Sequence, residues 1–237
     1  SFALGMDVEA IEPKKEEWQD TIATFPELDT MQSDSAKLSR LFHYASLWEV
    51  RGDIPKVRTA RRILVDEYAE KAVDHIYNYH FSTYGGLDSR AIEHVFSKFK
   101  DTASYYLFQG IYHENDTIVR NSIYFLGKLN IDGADDTLTA MLEDKDNEEL
   151  AGSLINSLGL LEANQATPAI LEYADDEKEK MKIRVAVACS QIADDRATPA
   201  MITNLYDPMF TVRAAATSAL SSIGEPAMEP LIEELDR

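Results

Sequence analysis

Cysteine is almost missing from this chain: Cys189 is the only one in 237 residues, which excludes an intrachain disulfide framework. It lies in the apolar run Val185-Ala186-Val187-Ala188-Cys189, where a small buried thiol is expected rather than a nucleophile. Positive charge is scarce as well. Lys and Arg total 23 against 42 Asp and Glu, a formal net charge of −19. Tracking phosphates or docking on an anionic bilayer requires Lys and Arg, so no nucleic-acid partner is expected. No apolar run approaches the ~18 residues that span a membrane. Histidine is sparse, and His43, His75, His80, His94 and His113 all precede residue 115. His75 and His80 are five apart and are expected on different faces of a helix; the neighbours Glu93-His94 and His113-Glu114 diverge likewise. No metal and no cofactor is expected. The chain starts at Ser1 rather than Met, which leaves cytoplasmic and processed or secreted forms both open.

What the sequence does have is a period. Thr137, Pro168, Pro199 and Pro230 are spaced 31 residues apart, and Thr-Pro-Ala occurs twice at that interval, at 167–169 and 198–200. An apolar residue followed by a small one precedes each: Leu126-Gly127, Leu158-Gly159, Ile192-Ala193 and Ile223-Gly224. Self-similarity at this period marks a solenoid of helix pairs, because one amphipathic pair cannot bury its apolar stripe without a stacked neighbour. Threonine is expected to cap each second helix, with proline in the first turn where an N–H is not needed. Glycine after the apolar residue is expected to let the chain leave the first helix with positive φ.

Three regions follow. Residues 1–35 read as an acidic lead-in with short helices near 6–11 and 16–25, Trp18 anchoring the arm and Ser33 opening the next helix. Residues 36–114 read as irregular, aromatic-rich helices: 36–50 with Leu38, Leu41, Phe42, Ala45 and Leu47 or Trp48 on one face, then 56–81 as one long helix or a broken pair. In Arg51-Gly52-Asp53, glycine is expected to stop one helix and aspartate to cap the next, rather than to mark cell adhesion. Tyr84-Gly85-Gly86 is a loop, and Asp88-Ser89 and Asp101-Thr102 are expected to cap helices ending near Phe99 and His113. Residues 115–237 hold four regular pairs, the first capped by Asp116. The pairs Asp135-Asp136, Asp175-Asp176 and Asp194-Asp195 read as helix caps, not calcium ligands.

The run Asp207-Pro208-Met209-Phe210-Thr211-Val212-Arg213-Ala214-Ala215-Ala216, with Ile223-Gly224 and Pro226 to Leu235 after it, resembles a HEAT-like repeat of the short, phycobilisome-lyase type. The apolar-Arg pair recurs as Val119-Arg120 and Ile183-Arg184, with Val57-Arg58 as an earlier copy; at Glu149-Leu150-Ala151 the arginine is missing. The resemblance covers about 115–237. It implies an all-α, right-handed αα-superhelix whose second helices line a concave face, and most such proteins are scaffolds or adaptors. It also brings an alternative, a lyase- or chaperone-like subunit that handles a small ligand, although no residue motif here points to a bilin.

Two features suggest where a protein or peptide partner would bind. Sixteen of the 22 aromatic residues fall between Phe42 and Phe125, including Tyr77, Tyr79, Tyr105, Tyr106 and Tyr112. Tyrosine suits interfaces because it offers apolar area with a polar tip. Lys56, Arg58, Arg61 and Arg62 form a basic run on an acidic chain. Arg58, Arg61, Arg62 and the five tyrosines are the candidate contacts, for an acidic or carboxylate-bearing segment. Catalytic residues are not expected. The chain ends on an apolar helix with no polar cap, an end on which a second copy could stack.

Overall fold

The computed structural model describes residues 21–235, apart from Arg51 and Tyr84. The expected helix at 6–11, the Trp18 anchor, Arg51, Tyr84 and the terminal Asp236-Arg237 lie outside the described residues; 21–25, the end of the expected second helix, are not helical. The described residues form helices and turns without a strand.

Four pairs make up the regular part: α7 (Asp116–Lys128) with α8 (Ala134–Glu143), α9 (Ala151–Leu160) with α10 (Thr167–Leu171), α11 (Glu179–Ile192) with α12 (Thr198–Asn204), and α13 (Phe210–Ile223) with α14 (Glu225–Leu235). Each first helix packs on the next first helix; among the second helices α8 packs on α10 and α12 on α14, while α10 meets the turn Asp195–Ala197 that opens α12, so two helical layers enclose the core. The chain approaches each first helix through an Asx turn, which before α9 opens a short 3-10 helix (Lys145–Leu150) that leads into it. Asn115, Asp144, Asp176 and Asp207 accept from the backbone N–H two residues on, at 2.9, 3.1, 2.7 and 2.8 Å. Asn115, not Asp116, is therefore the cap of α7. Of the aspartate pairs, Asp176 and Asp194 do cap turns, whereas Asp135 instead accepts from the side chain of Gln165 at 2.6 Å.

The chain leaves each first helix with positive φ, at the expected small residue in the last two repeats, Ala193 and Gly224, but not at Gly127 or Gly159 in the first two. Asn130, Glu162, Ala193 and Gly224 hold φ of 49°, 52°, 56° and 74°, at intervals of 31 or 32 residues. Gly127 and Gly159 stand three residues earlier, inside the helix. Their smallness serves packing. A Cβ on Gly127 would lie 2.8 Å from the carbonyl oxygen of Ser157, and one on Gly159 2.9 Å from Cα of Ala188. The seam between first helices is thus set by backbone approaching backbone.

The threonines do not cap either. The N-caps of α10 and α12 are Ala166 and Ala197, and Thr167 and Thr198 are buried first residues. The Thr167 hydroxyl donates across the repeat to Asp194 at 2.9 Å. Pro168 and Pro199 do occupy the first turn, while Pro230 falls inside α14 because that helix begins directly after Gly224.

Before the repeats come α1 (Glu27–Thr30), α2 (Asp34–Ala45), α3 (Ile54–Ile63), a π-helical turn (Leu64–Tyr68), α4 (Glu70–Tyr79), α5 (Asp88–Lys98) and α6 (Lys100–Gly110). Ser33 caps α2 as expected, accepting from Ala36 N–H at 3.2 Å. The helix stops five residues early, so Trp48 lies beyond it and stands 62% exposed. Asp53 stands at the N-cap of α3 as expected, but its carboxylate pairs with Lys56 rather than with a backbone N–H, whereas Asp88 and Asp101 are not caps: Asp88 accepts from Gly85 N–H, and α6 begins after Phe99 with no side-chain cap. The expected 56–81 helix is a broken pair, interrupted by the π turn and by Ala69 at φ 51° and ψ −128°. That conformation costs a residue with a Cβ about 1–3 kcal/mol. Ala69→Gly is expected to raise the unfolding free energy by about 1 kcal/mol, after the greater entropy loss of glycine is deducted. A urea midpoint that stays put would show that the segment carries no such strain.

One continuous apolar core runs from Leu38 to Ala227. Phe81, Phe96 and Phe125 are fully buried and in mutual contact, with ring centroids 5.7 to 6.0 Å apart, and join the irregular helices to the first regular repeat.

Candidate functional site

The aromatic cluster divides into core and surface. Tyr77 is half-buried between Phe81, at 5.1 Å, and Tyr106, at 4.8 Å, linking the phenylalanine core to the face formed by α4 and α6. The Tyr106 hydroxyl donates to Asp74 at 2.6 Å, which holds its pKa up at about 12. Tyr105 meets the edge of Tyr106 at 5.5 Å and is 61% exposed. Tyr79 packs against His75 with the rings tilted and 4.7 Å apart, and is 64% exposed; Tyr112, after α6, is 76% exposed. The sequence-derived set thus places Tyr77, Tyr105 and Tyr106 together.

The arginines lie elsewhere. Arg61 donates to the carbonyl of Ala45 at 3.1 Å and to Glu49 at 2.9 Å, tying α3 to the end of α2. Lys56 pairs with Asp53 at 3.1 Å, and Arg58 also has a partner. Arg62 lines a cavity of about 450 Å³ with Lys37, Phe25 and Tyr68. Most of the basic run is thus engaged within the chain.

His75 and His80 do not diverge. His80 lies just past the last residue of α4 with φ −125°, which swings its ring back. Both Nε2 atoms reach the hydroxyl of Ser39 on α2, at 2.9 Å from His75 and 3.3 Å from His80. The hydroxyl can donate to one ring while the other ring donates to it, an arrangement that requires at least one neutral imidazole. Burial lowers the pKa of both, and of His94, below the usual 6.5. A histidine whose folded pKa is lowered gives stability that is complete above pH 6.5 and lost as pH falls through that value. The urea midpoint is therefore expected to drop between pH 7.5 and 5.5. Asp194, held down at about 2 by Arg196, does not titrate in that window. A His75→Asn/His80→Asn variant should flatten the profile; an equally steep drop in the variant would assign it to other groups.

Elsewhere the chemistry is quiet. Cys189 is buried, with its thiol pushed up to about 12 by desolvation. Among the described residues no group of three His, Cys, Asp or Glu side chains is placed to hold a metal ion, and no helix is long and apolar enough to cross a membrane. The C-terminal helix pair exposes Met228, Ile232 and Leu235 beside a cavity of about 490 Å³. Two features went unseen in the sequence. Trp48 reads there as a core position of a longer helix. Arg120 and Arg184 read as a repeat signature, yet they line one cavity between first helices.

Residues 136–221 match the family model described as HEAT repeats, and 212–237 match the PBS lyase HEAT-like repeat. No curated protein matches the sequence significantly. Among solved structures, one similar chain is a designed armadillo repeat protein in complex with peptide (KR)4, 16% identical, covering 85% of this chain and 100% of its own, with a TM-score of 0.51. Another is an engineered protein, 14% identical, covering 84% of this chain and 96% of its own, with a TM-score of 0.52. At such identities the likeness shows the fold, an α-helical repeat superhelix. Paired layers, a 31-residue period and the matched repeats agree: the chain is a HEAT-like repeat protein.

Proposed function

We propose that this protein is a non-catalytic scaffold that holds a protein or peptide segment against the tyrosines of α4 and α6. One observation carries the reading: Tyr79, Tyr105 and Tyr112 are each more than 60% exposed, beside Tyr77 and Tyr106, which neighbouring rings and Asp74 fix in place. Rings already ordered at a surface bury area on a partner with little further loss of freedom. Their exposure suits an open contact surface better than a closed ligand pocket. The designed armadillo protein solved in complex with peptide (KR)4 supports the reading, since a repeat superhelix of this general kind binds a peptide there.

With the basic run mostly engaged inside the chain, the net charge of −19 favours a basic segment over an acidic one. Fluorescence anisotropy with a Lys-Arg repeat peptide and a poly-Glu peptide tests this. The basic peptide should bind, and a Tyr79→Ala/Tyr105→Ala variant should bind it about tenfold more weakly with its thermal stability kept. Equal affinity in the variant would remove the tyrosines from the site, and binding of neither peptide would remove the function.

A further inference from the structure

Between the first helices of three successive repeats lies a cavity of about 270 Å³ whose lining is opposite in character to the molecule. Arg120 and Tyr124 reach it from α7, Ser153, Asn156 and Ser157 from α9, and Arg184 from α11. No carboxylate lines it, on a chain with 42 Asp and Glu against 23 Lys and Arg.

The repeat register explains how two arginines come to share it. Arg120 stands ten residues before the positive-φ Asn130, and Gly152 stands ten before Glu162. Glycine therefore occupies the place that arginine has one repeat earlier. Arg184 uses the vacated room: a Cβ on Gly152 would collide with its Nη1 and lie 3.1 Å from Cζ. Arg120 spends one N–H on the carbonyl of Glu149, at 3.1 Å. Arg184 has no hydrogen bond or ion pair among the described residues. The Ser157 hydroxyl, fully buried in the same wall, has no partner either. A buried hydroxyl without a partner, as at Ser157, is a group that a bound ion or water would complete.

We propose that this cavity binds an oxyanion of the size and charge of phosphate. Two guanidinium forks match a dianion, and Tyr124, Ser153, Asn156 and the orphaned Ser157 hydroxyl supply neutral donors for a tetrahedral group. A carboxylate has two oxygens and one charge, too few for this set. Arg184 and Asn156 are exposed, so the group can arrive as free inorganic phosphate or carried on a peptide. The site is separate from the tyrosines of α4 and α6 and does not depend on their role.

The test titrates the full chain with inorganic phosphate and with acetate at constant ionic strength, following thermal stability and heat of binding. Phosphate should stabilise saturably, and acetate about tenfold more weakly or not at all. Gly152→Ala is the sharpest variant, because the added Cβ meets only the flexible end of Arg184 while alanine favours the helix. It should keep its stability without phosphate and lose at least about tenfold in phosphate affinity; Arg184→Gln should lose as much. A phosphoserine peptide that binds where its unphosphorylated form does not would identify a carried phosphoryl group, and binding of inorganic phosphate alone would identify the free anion. No response to either, an equal response to acetate, or an unchanged response in both variants would overturn the proposal.

Discussion

Gly127→Val is expected to lower the unfolding free energy by about 3 kcal/mol. The added side chain points at backbone, with its Cβ 2.8 Å from the Ser157 carbonyl oxygen and 2.9 Å from its Cα. No rotamer relieves that contact, so α7 and α9 must separate, and every pair of atoms along the seam loses part of its dispersion attraction. The higher helix propensity of valine over glycine returns only a few tenths of a kcal/mol. Gly86→Ala is the control, because a Cβ there meets nothing within 4 Å and φ is not positive. Urea unfolding of the two variants decides the matter. A loss under about 1 kcal/mol at Gly127 would mean that the first helices slide apart at little cost.

Phe125→Ala is expected to cost as much or more, about 3–5 kcal/mol. Its ring is fully buried against Phe81 and Phe96, which belong to the irregular helices, while α7 begins the regular array. A solenoid is held together only through neighbours, so a cavity at this joint weakens the coupling between the two parts as well as the total. Urea unfolding of the variant should therefore broaden or split into two transitions, the regular repeats melting separately. A single transition with an unchanged midpoint would show that the three rings are not the joint. Tyr105→Ala, on an exposed ring, should by contrast stay within about 0.5 kcal/mol.

The same contrast marks how much of the candidate site could be read from residues alone. The aromatic crowding between Phe42 and Phe125 was visible, but the division into a buried Phe81–Phe96–Phe125 joint and an exposed Tyr79–Tyr105 surface was not. Tyrosine and phenylalanine have similar apolar bodies, and which one meets solvent depends on how α4, α5, α6 and α7 stack. Arg61 was visible as a charge; that it spends its donors on Ala45 and Glu49 depends on α3 lying across the end of α2.

The sequence by itself determined the repeat. Apolar spacing of three and four and a proline in the first turn of α10 and α12 act within a few residues of chain, so they are legible without coordinates. Only the tertiary structure decided what crosses between repeats. It assigned Gly127 and Gly159 to backbone contact rather than helix exit, brought His75 and His80 to one hydroxyl of α2, and folded Arg184 into the room left by Gly152. Each of these joins residues about 30 to 40 positions apart, where the distance is set by the angle and spacing of packed helices, and no local pattern encodes it.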